Sequence, residues 1–202
     1  VVLQRCTTAR EAILLMGELI KKYGYADSGE CLTIADPNEV WHFEVFGEGP
    51  DKIGGVWAAV RIPDDHVGVS ANIPRISTLN LKDKDNYMAS ENVFEVAKKL
   101  GYWDGKEPFK FWKAYSGRKA FSVREFFILD YLAPSLNLDY EAEDLPISVK
   151  PEKQVSVTDV MALLRQTYEG TKWDITQNLK VTVKKKGSEN ADTIISPKAN
   201  PW

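Results

Sequence analysis

The sequence predicts an α+β fold with antiparallel strands, flanking helices and a helical insertion. Three observations carry that prediction. A capped amphipathic helix opens the chain, a run of short alternating strands broken by turns follows, and an aromatic-rich helical stretch fills the middle.

The opening helix starts at a capping box. In Thr8-Ala9-Arg10-Glu11 the hydroxyl accepts an orphan N–H, and the carboxylate three residues on reaches back to the cap. Behind it Ala12, Leu15, Met16, Leu19 and Ile20 form one apolar stripe, and Gly24 is the expected stop. Cys6 therefore sits just ahead of a helix cap. As an amino-terminal nucleophile it would need its own α-amino group, whose pKa is about 8, as proton acceptor. Five residues precede it and that amine is spent in a peptide bond, so Cys6 reads as structural. Cys31, in the apolar run CLTIAD, reads as a buried small hydrophobe.

From 30 to 73 short strands alternate with turns. Asp36-Pro37-Asn38-Glu39 is a turn with proline pre-setting φ. Trp41, Phe43 and Val45 alternate with His42 and Glu44, the period of a half-buried strand. VWAAVRI is apolar on both faces and reads as a central strand, and the short connections favour an antiparallel meander. HVGVSANIPR reads as one more strand. Its second face carries Gly68, Ser70 and Asn72, which leaves room either for a ligand beside an amide donor or for a packed helix.

The segment 82–134 reads as helical, with Ser90 capping a helix that carries Val93, Phe94, Ala97 and Leu100 and stops at Gly101. Phe109, Phe111, Trp112, Tyr115, Phe121, Phe126, Phe127 and Tyr131 suit core positions better than a ligand shelf. The acidic DYEAEDLP at 139–146 reads as a solvated link. Ser156 then caps a helix with Val160, Leu163, Leu164 and Tyr168 inward, and LKVTVKKKG followed by SENADTIIS reads as a hairpin turning near Gly187-Ser188-Glu189-Asn190.

Charge and composition narrow the partners. Acidic residues outnumber basic ones 29 to 26, so no nucleic-acid partner is expected, and Lys184-Lys185-Lys186 reads as a solvated edge. No apolar run approaches the roughly 20 residues that cross a bilayer, so no membrane partner is expected. Two cysteines make no disulfide framework and leave the compartment open. His42 and Glu44 share a strand face and His66 follows two aspartates. With two histidines on separate strands and no tight ligand cluster, no metal and no cofactor is expected. GEGPDKIGG lacks the spacing of a nucleotide fingerprint and is a hairpin loop.

Several blocks, in order, resemble one family: TAREAILLMGELIKKYGY, ADPNEVWHFEVFG, GGVWAAVRIPDDHVGVSANIPRI, KPEKQVSVTDVMALLRQTYEGTKWD and SPKANPW. They resemble the cysteine dipeptidases of the amino-terminal-nucleophile hydrolase superfamily, the group that also includes the secernins. The resemblance runs over nearly the whole chain. It implies an αββα sandwich and hydrolysis of dipeptides by a cysteine at a mature amino terminus. It also implies that the chain is an internal fragment of one dipeptidase domain, lacking the nucleophile and inactive alone. Within it, 1–80 would be a helix plus meander, 81–150 the aromatic-rich helical insertion, and 151–202 a helix plus hairpin. Strands left uncovered by the cut would favour a homo-oligomer.

One site residue follows from the resemblance. Asn72 in SANIPR matches the strand-end asparagine whose amide stabilises the oxyanion in related hydrolases. That task needs a neutral, rigidly held N–H donor aimed at charge that appears only in the tetrahedral intermediate. Arg75, three residues on, is a candidate for a two-pronged contact to a substrate carboxylate, or else a surface ion-pair residue. The alternative to a dipeptidase is a non-catalytic peptide- or protein-binding domain on the same fold.

Overall fold

The computed structural model describes residues 1–50, 52–174, 180–184 and 191–195. These resolve into two compact units, Val1–Glu152 and Lys153–Trp202.

The first unit is built on a four-stranded antiparallel sheet. Its strands are β1 (Glu30–Ala35), β2 (Val40–Gly47), β3 (Gly55–Ile62) and β5 (Tyr87–Ala89), in the order β1-β2-β3-β5. The two hairpins arise where the sequence places turns. Asp36 Oδ1 accepts the main-chain N–H groups of Asn38 and Glu39 between β1 and β2. The glycine-rich loop after Gly47 returns the chain into β3, with Gly47 opposite Gly55.

Helix α1 (Ala9–Tyr23) covers one face. Its Thr8–Glu11 capping box is fully formed, and Gly24, at φ 78°, ends it as the sequence requires. Ile13 is completely buried and packs with Ala9 against Trp41, Phe43, Val45, Trp57 and Ala59. The apolar stripe is rotated from the expected one. Ala9, Ala12, Ile13 and Gly17 are buried, whereas Leu15, Met16, Leu19 and Ile20 are half-buried. Close approach explains the rotation: a Cβ at Gly17 would lie 2.7 Å from Trp57 Nε1, so the helix is pressed down onto that indole. Truncating Ile13 to alanine here would cost about 2–5 kcal/mol.

The other sheet face is also covered. Phe46, Val56, Ala58 and Val60 pack with Ile76, with Val93 and Val96 of α2 (Val93–Lys99), and with Phe111 of α3 (Phe111–Ser116). Residues 41–46 are therefore all buried, and β2 is not half-buried as its alternation predicts. Alternation reveals which residues share a face but not what later segment covers it.

Between these elements the expected strand over 66–75 shrinks to β4 (Val67–Gly68), paired only with β6 (Ser148–Val149). Proline limits it. Pro146 just before β6 and Pro74 farther along have no N–H to extend a ladder. The middle contains β5 where only helix and turn are expected. Ser90 does not cap α2, whose N-cap is Asn92; its hydroxyl accepts the N–H of Trp57 at 3.2 Å instead. Helix α4 (Val123–Leu132) starts at a full capping box of Ser122 and Glu125. Phe111, Trp112, Phe121 and Phe126 are core, as expected, while Tyr131 is exposed. The acidic stretch 139–146 is anchored and not merely solvated. Glu143 pairs with Lys110 and Lys113, Asp144 with Lys110 and Ser77, and Leu145 is buried.

In the second unit Ser156 caps α5 (Val157–Leu163), with Asp159 completing the box. Leu163 and Tyr168 are buried, but Val160 and Leu164 are exposed, against expectation. Strands β7 (Lys180–Lys184) and β8 (Ala191–Ile195) pair antiparallel as a hairpin. The turn expected near 187–190, two lysines of the basic run, and the closing SPKANPW lie outside the described residues.

Candidate active-site segment and the buried cluster beneath it

The segment 69–76 crosses the second sheet face, and Glu44 fastens it there. Glu44 lies on β2 beside His42 on the same face and is completely buried. Its Oε1 receives His42 Nε2 at 2.7 Å, the main-chain N–H of Ile76 at 3.0 Å, and the main-chain N–H of Arg75. Three partners on one oxygen tie the segment to the sheet. Glu44 Oε2, equally buried, has no hydrogen-bond partner among the described residues.

Arg75 is 2% exposed, so it is not a surface ion-pair residue. One Nη donates to the carbonyls of Val69 at 2.8 Å and Ile147 at 3.3 Å, and the other donates to Pro146. The guanidinium fork thus clamps the segment to the strand-entry residues 146–147. Its Nε is buried without a hydrogen bond among the described residues. Burial lowers its pKa, opposed by the charges of Glu125 and Glu44. The prongs expected to reach a substrate carboxylate are engaged by main chain.

Asn72 is exposed and left-handed, at φ 58°. It follows β4 by four residues and does not sit at a strand end. Asparagine is among the few side chains that tolerate this conformation. Arg124 on α4 donates to its Oδ1 at 3.4 Å and to the carbonyl of Ala71. With the amide oxygen accepting from Arg124, Nδ2 is the end left to donate. Ala71 beside it is 4% exposed, which roots the exposed amide in packed structure.

The neighbouring cysteine joins the cluster through strand register. In the β1–β2 hairpin Cys31 is opposite Glu44 and Thr33 is opposite His42. Cys31 Sγ, a His42 ring nitrogen and a Glu44 carboxylate oxygen all lie within 4.8 Å of one another. The absence of a tight ligand cluster, expected from the sequence, is thereby corrected. The signal was present in the alternation of β2 and the Asp36-Pro37 turn, which together set the register of β1. Burial, then the charges of Glu44, Glu30 and Glu125, push the Cys31 thiol well above the ordinary range. It is held as a thiol, which is the wrong state for a nucleophile. Cys6 lies two residues before the α1 cap and touches neither Asn72 nor this cluster by any hydrogen bond among the described residues.

A cavity of about 640 Å³ opens beside the cluster, with Thr33, His42, His66, Val69 and Ser70 in its wall. Among the described residues, no helix is long and apolar enough to cross a membrane.

Residues 1–194 match peptidase family C69. The chain is similar to a probable dipeptidase of Latilactobacillus sakei, at 33% identity over 86% of this chain and 36% of that protein. It is similar to probable dipeptidase B of Streptococcus pyogenes serotype M1, at 30% identity over 84% of this chain and 33% of that protein. A probable dipeptidase of Salmonella dublin matches at 32% identity over 86% of this chain and 40% of that protein. The chain thus spans about a third of the length of these relatives. Matched over all but its last eight residues, the chain belongs to peptidase family C69.

Proposed function

We propose that this chain is the oxyanion-bearing part of a cysteine dipeptidase whose nucleophile lies outside these 202 residues. The family match over residues 1–194 carries the reading, and the relatives it resembles are named as dipeptidases. Three features of the chain support it. Cys6 lies ahead of a helix cap with its amine spent in a peptide bond, Cys31 is held as a thiol, and Asn72 presents an amide donor from a left-handed position. In the whole protein the sheet would form one layer of an αββα sandwich.

The chemistry asked of Asn72 is limited. As a thiol adds to the dipeptide carbonyl, the oxygen gains negative charge, and an N–H already in place stabilises it without reorganisation. Arg75 acts on that donor as a positioning residue, by clamping 69–76 to 146–147, and does not itself bind the substrate carboxylate. The dipeptide is the proposed substrate.

The test is hydrolysis of free dipeptides by the whole protein and by the 202-residue chain. Thiol-dependent turnover by the whole protein, with none above background from the chain, is expected. Turnover by the chain that disappears in Cys6→Ser would overturn the placement of the nucleophile.

A further inference from the structure

Strand register brings three different metal-binding groups together where the sequence alone shows two. Cys31, His42 and Glu44 offer a thiolate, an imidazole and a carboxylate within 4.8 Å of one another. Each of these donor types binds zinc, and zinc sites with three protein ligands keep an open fourth position. Donors on a tetrahedral zinc, at bonds of about 2.0–2.3 Å, lie roughly 3.3–3.6 Å apart, so the cluster needs to close by about 1 Å.

Independent observations point to a cation here. Glu44 is wholly buried, yet among the described residues its Oε2 has no hydrogen-bond partner, a deficit that native proteins rarely leave unfilled. The other oxygen is already oriented by the N–H groups of Arg75 and Ile76, the kind of outer support that fixes a metal ligand. Glu125, fully buried on α4, lies close enough to act electrostatically on both Arg75 and Cys31. Of the three, His42 lies in the wall of the 640 Å³ cavity, the side from which a metal and its fourth ligand would enter.

We propose that Cys31, His42 and Glu44 form a zinc site, with its open position facing that cavity. A bound zinc would take Cys31 as its thiolate, releasing the thiol proton, and His42 as the neutral imidazole with its proton on the ring nitrogen that does not ligate. The site does not include Asn72, although its Glu44 also holds the Asn72-bearing segment, and it does not depend on the dipeptidase reading.

Cobalt(II) titration of the metal-free 202-residue chain tests it, because a cobalt–thiolate bond gives a near-ultraviolet charge-transfer band. One equivalent should develop the band, and zinc should abolish it by displacement. The band should persist in Cys6→Ser and vanish in Cys31→Ser, whose metal-free melting curve should match the parent. Glu44→Gln should weaken binding by more than the roughly 10–100-fold typical of losing an outer partner. In the unmutated chain, zinc should protect Cys31 from alkylation and leave Cys6 reactive. No thiolate band, a band that follows Cys6, or equal labelling of Cys31 with and without zinc would overturn the proposal.

Discussion

Glu44 and Arg75, 31 residues apart in sequence, are joined by the main-chain N–H of Arg75 donating to Glu44 Oε1. The same oxygen takes Ile76 N–H and His42 Nε2, so one buried carboxylate holds the Asn72-bearing segment on the sheet. The architecture makes Glu44 structural first. Glu44→Ala should therefore destabilise the chain by about 3–5 kcal/mol, the usual result of breaking a buried charged network. Glu44→Gln keeps one acceptor oxygen and should lose less than half as much. Urea unfolding measures both, and equal losses would show that charge, not hydrogen bonding, anchors the segment.

Arg75→Lys separates positioning from substrate contact. Lysine keeps the charge but cannot serve the three carbonyls of Val69, Pro146 and Ile147 with one planar fork. In the whole protein it should lower kcat and leave KM within about twofold, because Asn72 loses its support. A raised KM at unchanged kcat would restore the reading in which Arg75 grips the substrate.

Acid should weaken the α1–sheet junction. Asp36 accepts main-chain N–H groups from Ala9, Asn38 and Glu39, and these hold its carboxyl below the ordinary range. Glu39 is held low by the Arg10 side chain, which also stacks over Trp41. Folded-state values below the unfolded value of about 4 give stability that is complete above that pH. It is lost as pH falls through the folded-state values. Unfolding free energy should therefore drop below about pH 4. Asp36→Asn with Glu39→Gln should flatten that drop, and an unchanged slope would show that other carboxylates cause it.

Cys31 should be a poor nucleophile toward small alkylating agents. Burial and neighbouring carboxylates keep its thiolate scarce, so at pH 8 it should react at least about tenfold more slowly in the native chain than in denaturant. Mass spectrometry of labelled peptides reads this directly. Equal rates would mean that the thiol is ionised and accessible.

Local signals were legible in the sequence and long-range ones were not. The Thr8–Glu11 box and the Ser156 cap form as read, because each is closed within one helical turn. The alternation of Trp41 to Val45 marked a strand and placed His42 beside Glu44 on one face. It said nothing of the segment 69–76 that buries them, since that contact is made more than 30 residues later. Ser90 resembled a cap, but its hydroxyl is used across the sheet by Trp57. Asn72 was legible as a residue type and misplaced in conformation. Its bend depends on Arg75, Arg124 and two prolines whose partners no periodicity reveals.

The most direct test of the account is removal of the Asn72 amide in the whole protein. Asn72→Gly does so without placing a Cβ at φ 58°, where alanine would be strained. The account predicts a kcat lowered about 10²–10³-fold, the usual loss for one oxyanion donor, with KM within about twofold and an unchanged melting temperature. An unchanged kcat with a raised KM, or kinetics indistinguishable from the parent, would contradict it.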